Sequence, residues 1–150
     1  MPLAFKGIAH PPPQKAGRGF ADLSRAEIET TNMGRGAGTD VLMEHDHGNR
    51  IGTVHASYRG ANGEMRVTGM INDPQAEEAV RTGKMLGLSL GTSIFQTSGS
   101  TLMKQQDELS LCAKPRRAGC YIDTVDNKQV RQIATFSAKQ SMPPPRYLVY

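Results

Sequence analysis

From Thr39 onward the chain alternates apolar and polar residues, first at Val41-Leu42-Met43 and then across Ile51 to Ala56. The pattern is most regular where Met65, Val67, Gly69 and Ile71 interleave with Arg66, Thr68 and Met70. A period of two is that of a strand with one face buried, so these segments read as consecutive antiparallel strands. Between the last two, Gly60-Ala61-Asn62-Gly63 supplies the positive-φ residues that a tight connection needs. One further strand is predicted near residues 3 to 9. Leu88-Ser89-Leu90 puts two leucines on one face and Ser89 on the other, and alternation resumes over Glu108 to Ala113 with Leu109, Leu111 and Ala113 inward. Residues 96 to 106 follow neither period and read as a surface loop.

Helix starts are marked by capping chemistry. Ser24 and Glu27 have the three-residue spacing of a capping box, which predicts a short helical turn. Asp73-Pro74 joins an N-cap carboxylate to a proline whose missing N–H costs nothing at the first helical position. The helix it opens carries Ala76, Ala79, Val80 and Gly83 at helical spacing and should end near Gly83 or Gly87. Another helix is expected from about Thr124, with Val130, Ile133 and Phe136 on one side, and a proline-rich tail over 141–150 that frays or runs over the surface. There is no internal repeat and no obvious linker. Strand–helix alternation is absent over residues 41 to 71, which argues against a parallel α/β sheet. The expected architecture is β-dominated (α+β): a closed barrel of mainly antiparallel strands surrounded by a few helices, one domain over residues 1–150.

At 150 residues the chain has material for a single core, which excludes most multidomain enzymes. With 37% hydrophobic and 21% charged residues it lacks the signature of disorder. Its apolar runs are far shorter than the roughly 20 residues a bilayer requires, and Pro11, Pro12, Pro13 and several charges stand where a signal core would be, so neither a membrane span nor secretion is expected. The net charge of +4 comes from scattered basic residues, and four Tyr with four Phe give few stacking platforms. The charge therefore reads as background, although a non-catalytic capsid or nucleic-acid-binding module remains one reading of it. Two cysteines, Cys112 and Cys120, cannot form a disulfide framework and read as packed thiols in a reducing, intracellular setting.

A serine becomes a nucleophile only beside a base, and the base needs an orienting partner. Ser89 has Gly87 and Gly91 on its own face, two positions without side chains to block a substrate backbone. His45 closes the Val41–Glu44 strand within Glu44-His45-Asp46-His47-Gly48. Glu108 and Asp107 open the strand leading to Arg116-Arg117, and either carboxylate would hold an imidazole in one tautomer. Alternation puts Asp107 on the face opposite Glu108, which makes it the lesser candidate. The same histidines support a second class, a metal site from His45, His47 and His55, with Cys112 as a further ligand, because residues at i and i+2 of a strand share a face.

Three segments carry a resemblance. Glu44 to Val54 resembles the block around the first catalytic histidine of the herpesvirus capsid maturation proteases, the assemblins. Gly87-Leu88-Ser89-Leu90 looks like their nucleophile strand, and Leu109 to Gly119 is similar to the segment where they carry a Leu-Cys pair, a paired arginine and a glycine. The blocks occur in the family's order, together over about a fifth of the chain. The resemblance implies Ser89 as nucleophile, His45 as general base, and Arg116 with Arg117 as the oxyanion-stabilising pair. Two positions depart from the pattern. Glu108 stands where the family has a second histidine, and Gly91 where it has the second serine of the nucleophile motif. A carboxylate stabilises the imidazolium formed during attack at least as well as a neutral imidazole does.

The resemblance further implies a serine endopeptidase without cofactor or metal that cuts scaffold protein, and its own precursor, between alanine and serine. It would act as a homodimer within the assembling capsid, in the host nucleus if herpesvirus-like, with the 124–138 helix as the expected pairing element. The one internal candidate bond, Ala56-Ser57, falls inside a predicted strand and is a poor self-cleavage site. Tailed-phage prohead proteases are a rival within the same chemistry, similar in barrel and in Ser/His use. The arginine pair after Leu111-Cys112 favours the herpesvirus-like side.

Overall fold

The computed structural model describes residues 2–13, 22–99 and 101–129. Eight strands and two helices follow in the order β1 (Leu3–His10), α1 (Arg25–Thr30), β2 (Thr39–Met43), β3 (Asp46–Arg59), β4 (Met65–Ile71), α2 (Pro74–Arg81), β5 (Gly87–Gln96), β6 (Leu102–Cys112), β7 (Ile122–Val125) and β8 (Lys128–Gln129). The strands form one sheet in the order β5-β6-β2-β3-β4-β1-β7-β8. Neighbours pair antiparallel except β2 with β6, which run parallel with Val41 opposite Leu109.

Local chemistry accounts for most elements. β4 buries every second residue, Met65, Val67, Gly69 and Ile71, as its alternation predicts. The Ser24 hydroxyl accepts from the Glu27 N–H while the Glu27 carboxylate accepts from the Ser24 N–H, a complete capping box. Asp73 caps α2 by accepting from the Ala76 N–H at 3.0 Å, and the chain leaves that helix through Gly83 at φ +78°. The core lies on one face of the sheet, where Phe5, Ile51, Ile71, Leu88, Leu109 and Leu111 pack with Ile28 of α1 and Val80 of α2. No helix among the described residues is long and apolar enough to cross a membrane.

Four expectations fail. The sheet is not a closed barrel: its ends, β5 and β8, do not pair. The approach of β5 to the β7 side is a lone bridge between Gly87 and Tyr121, flanked by the bonds from Leu88 N–H to Cys120 O and from Ile122 N–H to Leu86 O. Closure needs a continuous ladder, and the segment entering β7 contains Pro115, which has no N–H, and Gly119 at φ +83°.

The 96–106 segment is mostly strand, because β5 runs to Gln96 and β6 starts at Leu102. Its pattern was uninformative because this end of the hairpin covers no core, leaving Ile94, Phe95, Leu102 and Met103 at 44 to 54% exposure. Thr124 begins no helix. It lies in β7, whose turn to β8 uses Asp126 and Asn127 at φ 49° and 68°, and β1 offers it an edge to pair with at Phe5 and Lys6. Residues 125–129 of the expected 124–138 helix are likewise strand and turn, and residues 130–138, like the 141–150 tail, fall outside the described residues. Finally, Ala113 is exposed rather than inward, since it follows the last residue of β6.

Candidate active site

The ladder between β5 and β6 pairs Ser89 with Ser110 and Gly91 with Glu108. Because side chains alternate, Leu88, Leu90, Leu109 and Leu111 take the core face and leave Ser89, Glu108, Ser110 and Cys112 together on the other. The two serines and Glu108 are nonetheless buried, at 5% exposure or less. The β2–β3 hairpin supplies their cover.

That hairpin turns through two residues, Glu44 and His45, between paired Met43 and Asp46. Both have positive φ, 50° and 60°, which a two-residue hairpin favours but which neither side chain prefers. Tertiary bonds from β6 and the residue that follows it hold the turn in place. The Glu44 N–H donates to Leu111 O at 3.1 Å, the His45 N–H to Ser110 Oγ at 2.9 Å, and the Glu44 carboxylate accepts from the Ala113 N–H at 2.8 Å. A disfavoured backbone over-determined by its surroundings is characteristic of functional sites.

The turn carries the His45 ring over β5 and β6. Nδ1 lies 2.6 Å from Glu108 Oε1, and Nε2 lies 3.1 Å from Ser89 Oγ. A carboxylate accepts only, so Nδ1 carries the proton and Nε2 presents its lone pair to the serine hydroxyl. The His45 side chain is 44% exposed and that of Glu108 only 6%, so the imidazole faces incoming molecules while its partner is shielded behind it. Alcohol, imidazole and carboxylate thus stand in the order that lets a serine lose its proton as it attacks.

A cavity of about 460 Å³ opens at this group, lined by Glu44, His45, Ser89, Thr92, Lys114 and Arg116 among others. The arginine pair is divided. Arg116 borders the cavity, whereas Arg117 turns to Asp22, with Nε 2.8 Å from Oδ1 and little exposure on either side chain. Asp107 is exposed but does not take the opposite face: the β-bulge between the Gly91–Glu108 and Thr92–Gln106 pairs breaks the alternation, and its carboxylate accepts from the hydroxyl of Ser93, which shares the Ser89–Gly91 face of β5. Of the thiol and histidines weighed as metal ligands, Cys112 borders the cavity, while His47 and His55 are exposed on β3. Among the described residues no group of three or more His, Cys, Asp or Glu side chains is disposed to hold a metal ion, so the set His45, His47, His55 and Cys112 does not assemble.

Burial pushes the Cys112 thiol up to about 12, with the Glu44 and Glu108 charges adding to the effect. It is therefore a thiol and not a thiolate at neutral pH, which makes it an inert neighbour of Ser89. Cys120, also buried, is likewise raised to about 12.

Sequence reasoning overlooked Ser110 and the bonding role of Glu44. Ser110 stands two residues after Glu108 on one strand, and that period alone puts both on one face.

No protein-family model matches the chain, and no curated protein sequence does. Solved structures do. The protease of Kaposi's sarcoma-associated herpesvirus, in complex with a hexapeptide phosphonate inhibitor, superposes with a TM-score of 0.58 at 16% identity, covering 90% of this chain and 69% of that one. Varicella-zoster virus protease gives 0.57 at 16% identity, covering 84% of this chain and 64% of that one. The Kaposi's sarcoma-associated herpesvirus protease in complex with a dimer disruptor gives 0.54 at 15% identity, over 97% of this chain and 84% of that one. The chain has the fold of the herpesvirus proteases.

Proposed function

We propose that the protein is a serine endopeptidase of the capsid-maturation type, with Ser89 as nucleophile, His45 as general base and Glu108 as third member. The observation that carries this reading is the single His45 ring in contact with both partners, at 3.1 Å to Ser89 and 2.6 Å to Glu108, at the edge of an open cavity. Its order of blocks and its fold, shared with two herpesvirus proteases, agree with it.

In the proposed reaction Ser89 Oγ attacks the scissile carbonyl as its proton passes to His45 Nε2. Glu108 stabilises the imidazolium through Nδ1–H, and His45 then protonates the leaving amine. Water, activated by the same imidazole, releases the acyl group from Ser89. The Arg116–Arg117 turn serves as the oxyanion site, Arg116 supplying positive charge at the cavity and Arg117 anchoring the turn through Asp22. The substrate is scaffold or assembly protein cut between alanine and serine, inside the assembling capsid. The active form is a homodimer, a reading supported by the dimer disruptor bound to one protease of this fold.

The test is hydrolysis of a quenched-fluorescent peptide with a central alanine–serine bond. Ser89→Ala and His45→Ala should abolish turnover, and Glu108→Ala should lower it less, because orientation is only part of the catalysis. Undiminished hydrolysis by Ser89→Ala would overturn the assignment.

A further inference from the structure

Ser110 has no part in the mechanism above, yet its side chain occupies the centre of the site. It is fully buried. Its Oγ accepts from the His45 main-chain N–H at 2.9 Å, donates to Glu108 Oε2 at 2.8 Å, and lies 3.2 Å from His45 Nδ1.

A hydroxyl has one proton and two lone pairs. The proton is committed to Glu108 Oε2 and one lone pair to the His45 N–H, which leaves the second lone pair facing the Nδ1–H that Glu108 Oε1 accepts. One oxygen therefore ties down the main chain of the base, the far oxygen of the carboxylate and the shared proton between them.

We infer that Ser110 is a positioning residue that fixes His45 and Glu108 relative to each other, an inference that rests on the catalytic reading of Ser89 and His45. Two physical demands support it. First, the Glu108 carboxylate is buried, so both its oxygens need donors. His45 serves Oε1 and Ser110 serves Oε2, which together prevent the group from rotating out of line with Nδ1. Second, His45 has a backbone conformation it does not favour, and its N–H acceptor is one of the few bonds that hold it there. A rotation of the carboxylate or relaxation of the turn moves Nε2 away from Ser89, and displacement by an ångström in an active site costs on the order of 100-fold in rate.

The experiment compares wild type, Ser110→Ala, Ser110→Thr and Ser89→Ala by peptide hydrolysis, by thermal unfolding and by proton NMR of the Nδ1–H. A short charge-assisted bond moves that proton downfield, independently of any substrate. The expected result is a fall of about 10- to 100-fold in kcat for Ser110→Ala with KM within about twofold of wild type, and loss or broadening of the downfield signal. Ser110→Thr, which keeps the hydroxyl, should restore both.

Wild-type kcat and an unchanged downfield signal in Ser110→Ala would overturn the inference. So would equal loss in the Ala and Thr variants, because the hydroxyl would then not be what matters. If Ser110→Ala does not fold, a folded Ser110→Thr with the downfield signal and near wild-type kcat supports the inference, and one lacking them ends it. Hydrolysis that survives in Ser89→Ala would instead reject the catalytic reading itself, an outcome read in a different arm.

Discussion

Gly91 and Glu108 face each other across the β5–β6 ladder, and the Glu108 carboxylate fills the space that a side chain at position 91 would need. A Cβ there would overlap Glu108 Oε1, the oxygen bonded to His45. The two departures from the resembled motif, glycine for serine and glutamate for histidine, are thus one steric arrangement.

Gly91→Ala should therefore displace the carboxylate and lower kcat on the order of 100-fold, with a stability cost of about 1–3 kcal/mol from overpacking. In a Glu108→Ala background the same change should cost little further activity, because the group it displaces is gone. A double-mutant cycle on kcat measures the coupling, and additive losses would show that the two sites are independent.

The raised Cys112 thiol separates serine from cysteine chemistry at this cavity. Iodoacetamide at pH 7.5 should leave peptide hydrolysis intact and modify Cys112 and Cys120 slowly in the folded protein, since both are buried and near 12. Rapid inactivation with one carbamidomethyl group on Cys112 would make the thiol the nucleophile.

The two arginines should respond differently to removal. Arg116→Ala, at the cavity, is expected to lower kcat by about 10- to 100-fold with little change in unfolding temperature. Arg117→Ala should destabilise the fold by about 1–3 kcal/mol, because it leaves the shielded Asp22 carboxylate without that charge-assisted bond, and Asp22→Asn should behave alike. Thermal melts beside the kinetics distinguish the effects, and identical profiles for both arginine variants would contradict this division.

Acid should weaken the fold through His10. This fully buried ring donates from Nδ1 to Pro11 O at 2.7 Å and accepts at Nε2 from the Leu23 N–H at 2.9 Å, an arrangement that requires the neutral form. Burial lowers its affinity for protons below the ordinary 6.5 and the Arg117 charge lowers it further, against the Pro11 bond and the Asp22 and Glu27 carboxylates, which raise it. The unfolded chain then binds the proton more readily, so this contribution is fully present above about pH 6.5 and declines as pH falls below it, levelling only past the lowered folded value. Urea midpoints at pH 7.5 and 5 should differ, and His10→Gln should narrow the gap. An equal gap in that variant would remove His10 as the cause.

Much of the local structure was legible. The alternation in β4, the Ser24–Glu27 box and the Asp73-Pro74 start all hold because each depends on groups within a few residues of one another. Where local signals misled, a distant partner or its absence decided. Ile94 and Leu102 belong to a hairpin without a core beneath it, and Thr124 pairs with Lys6 at the far end of the chain.

Residue types and their order determined that a serine on a strand, a histidine after one and a carboxylate were available as candidate catalytic groups. Their meeting was decided by tertiary structure alone: β6 lies between β5 and β2, and a left-handed turn swings His45 across residues 44 and 63 positions away. Periodicity and capping act between neighbours in the chain. The contact between an imidazole and its partners depends on strand order, register and hairpin twist, which are set only when the whole sheet packs on its core.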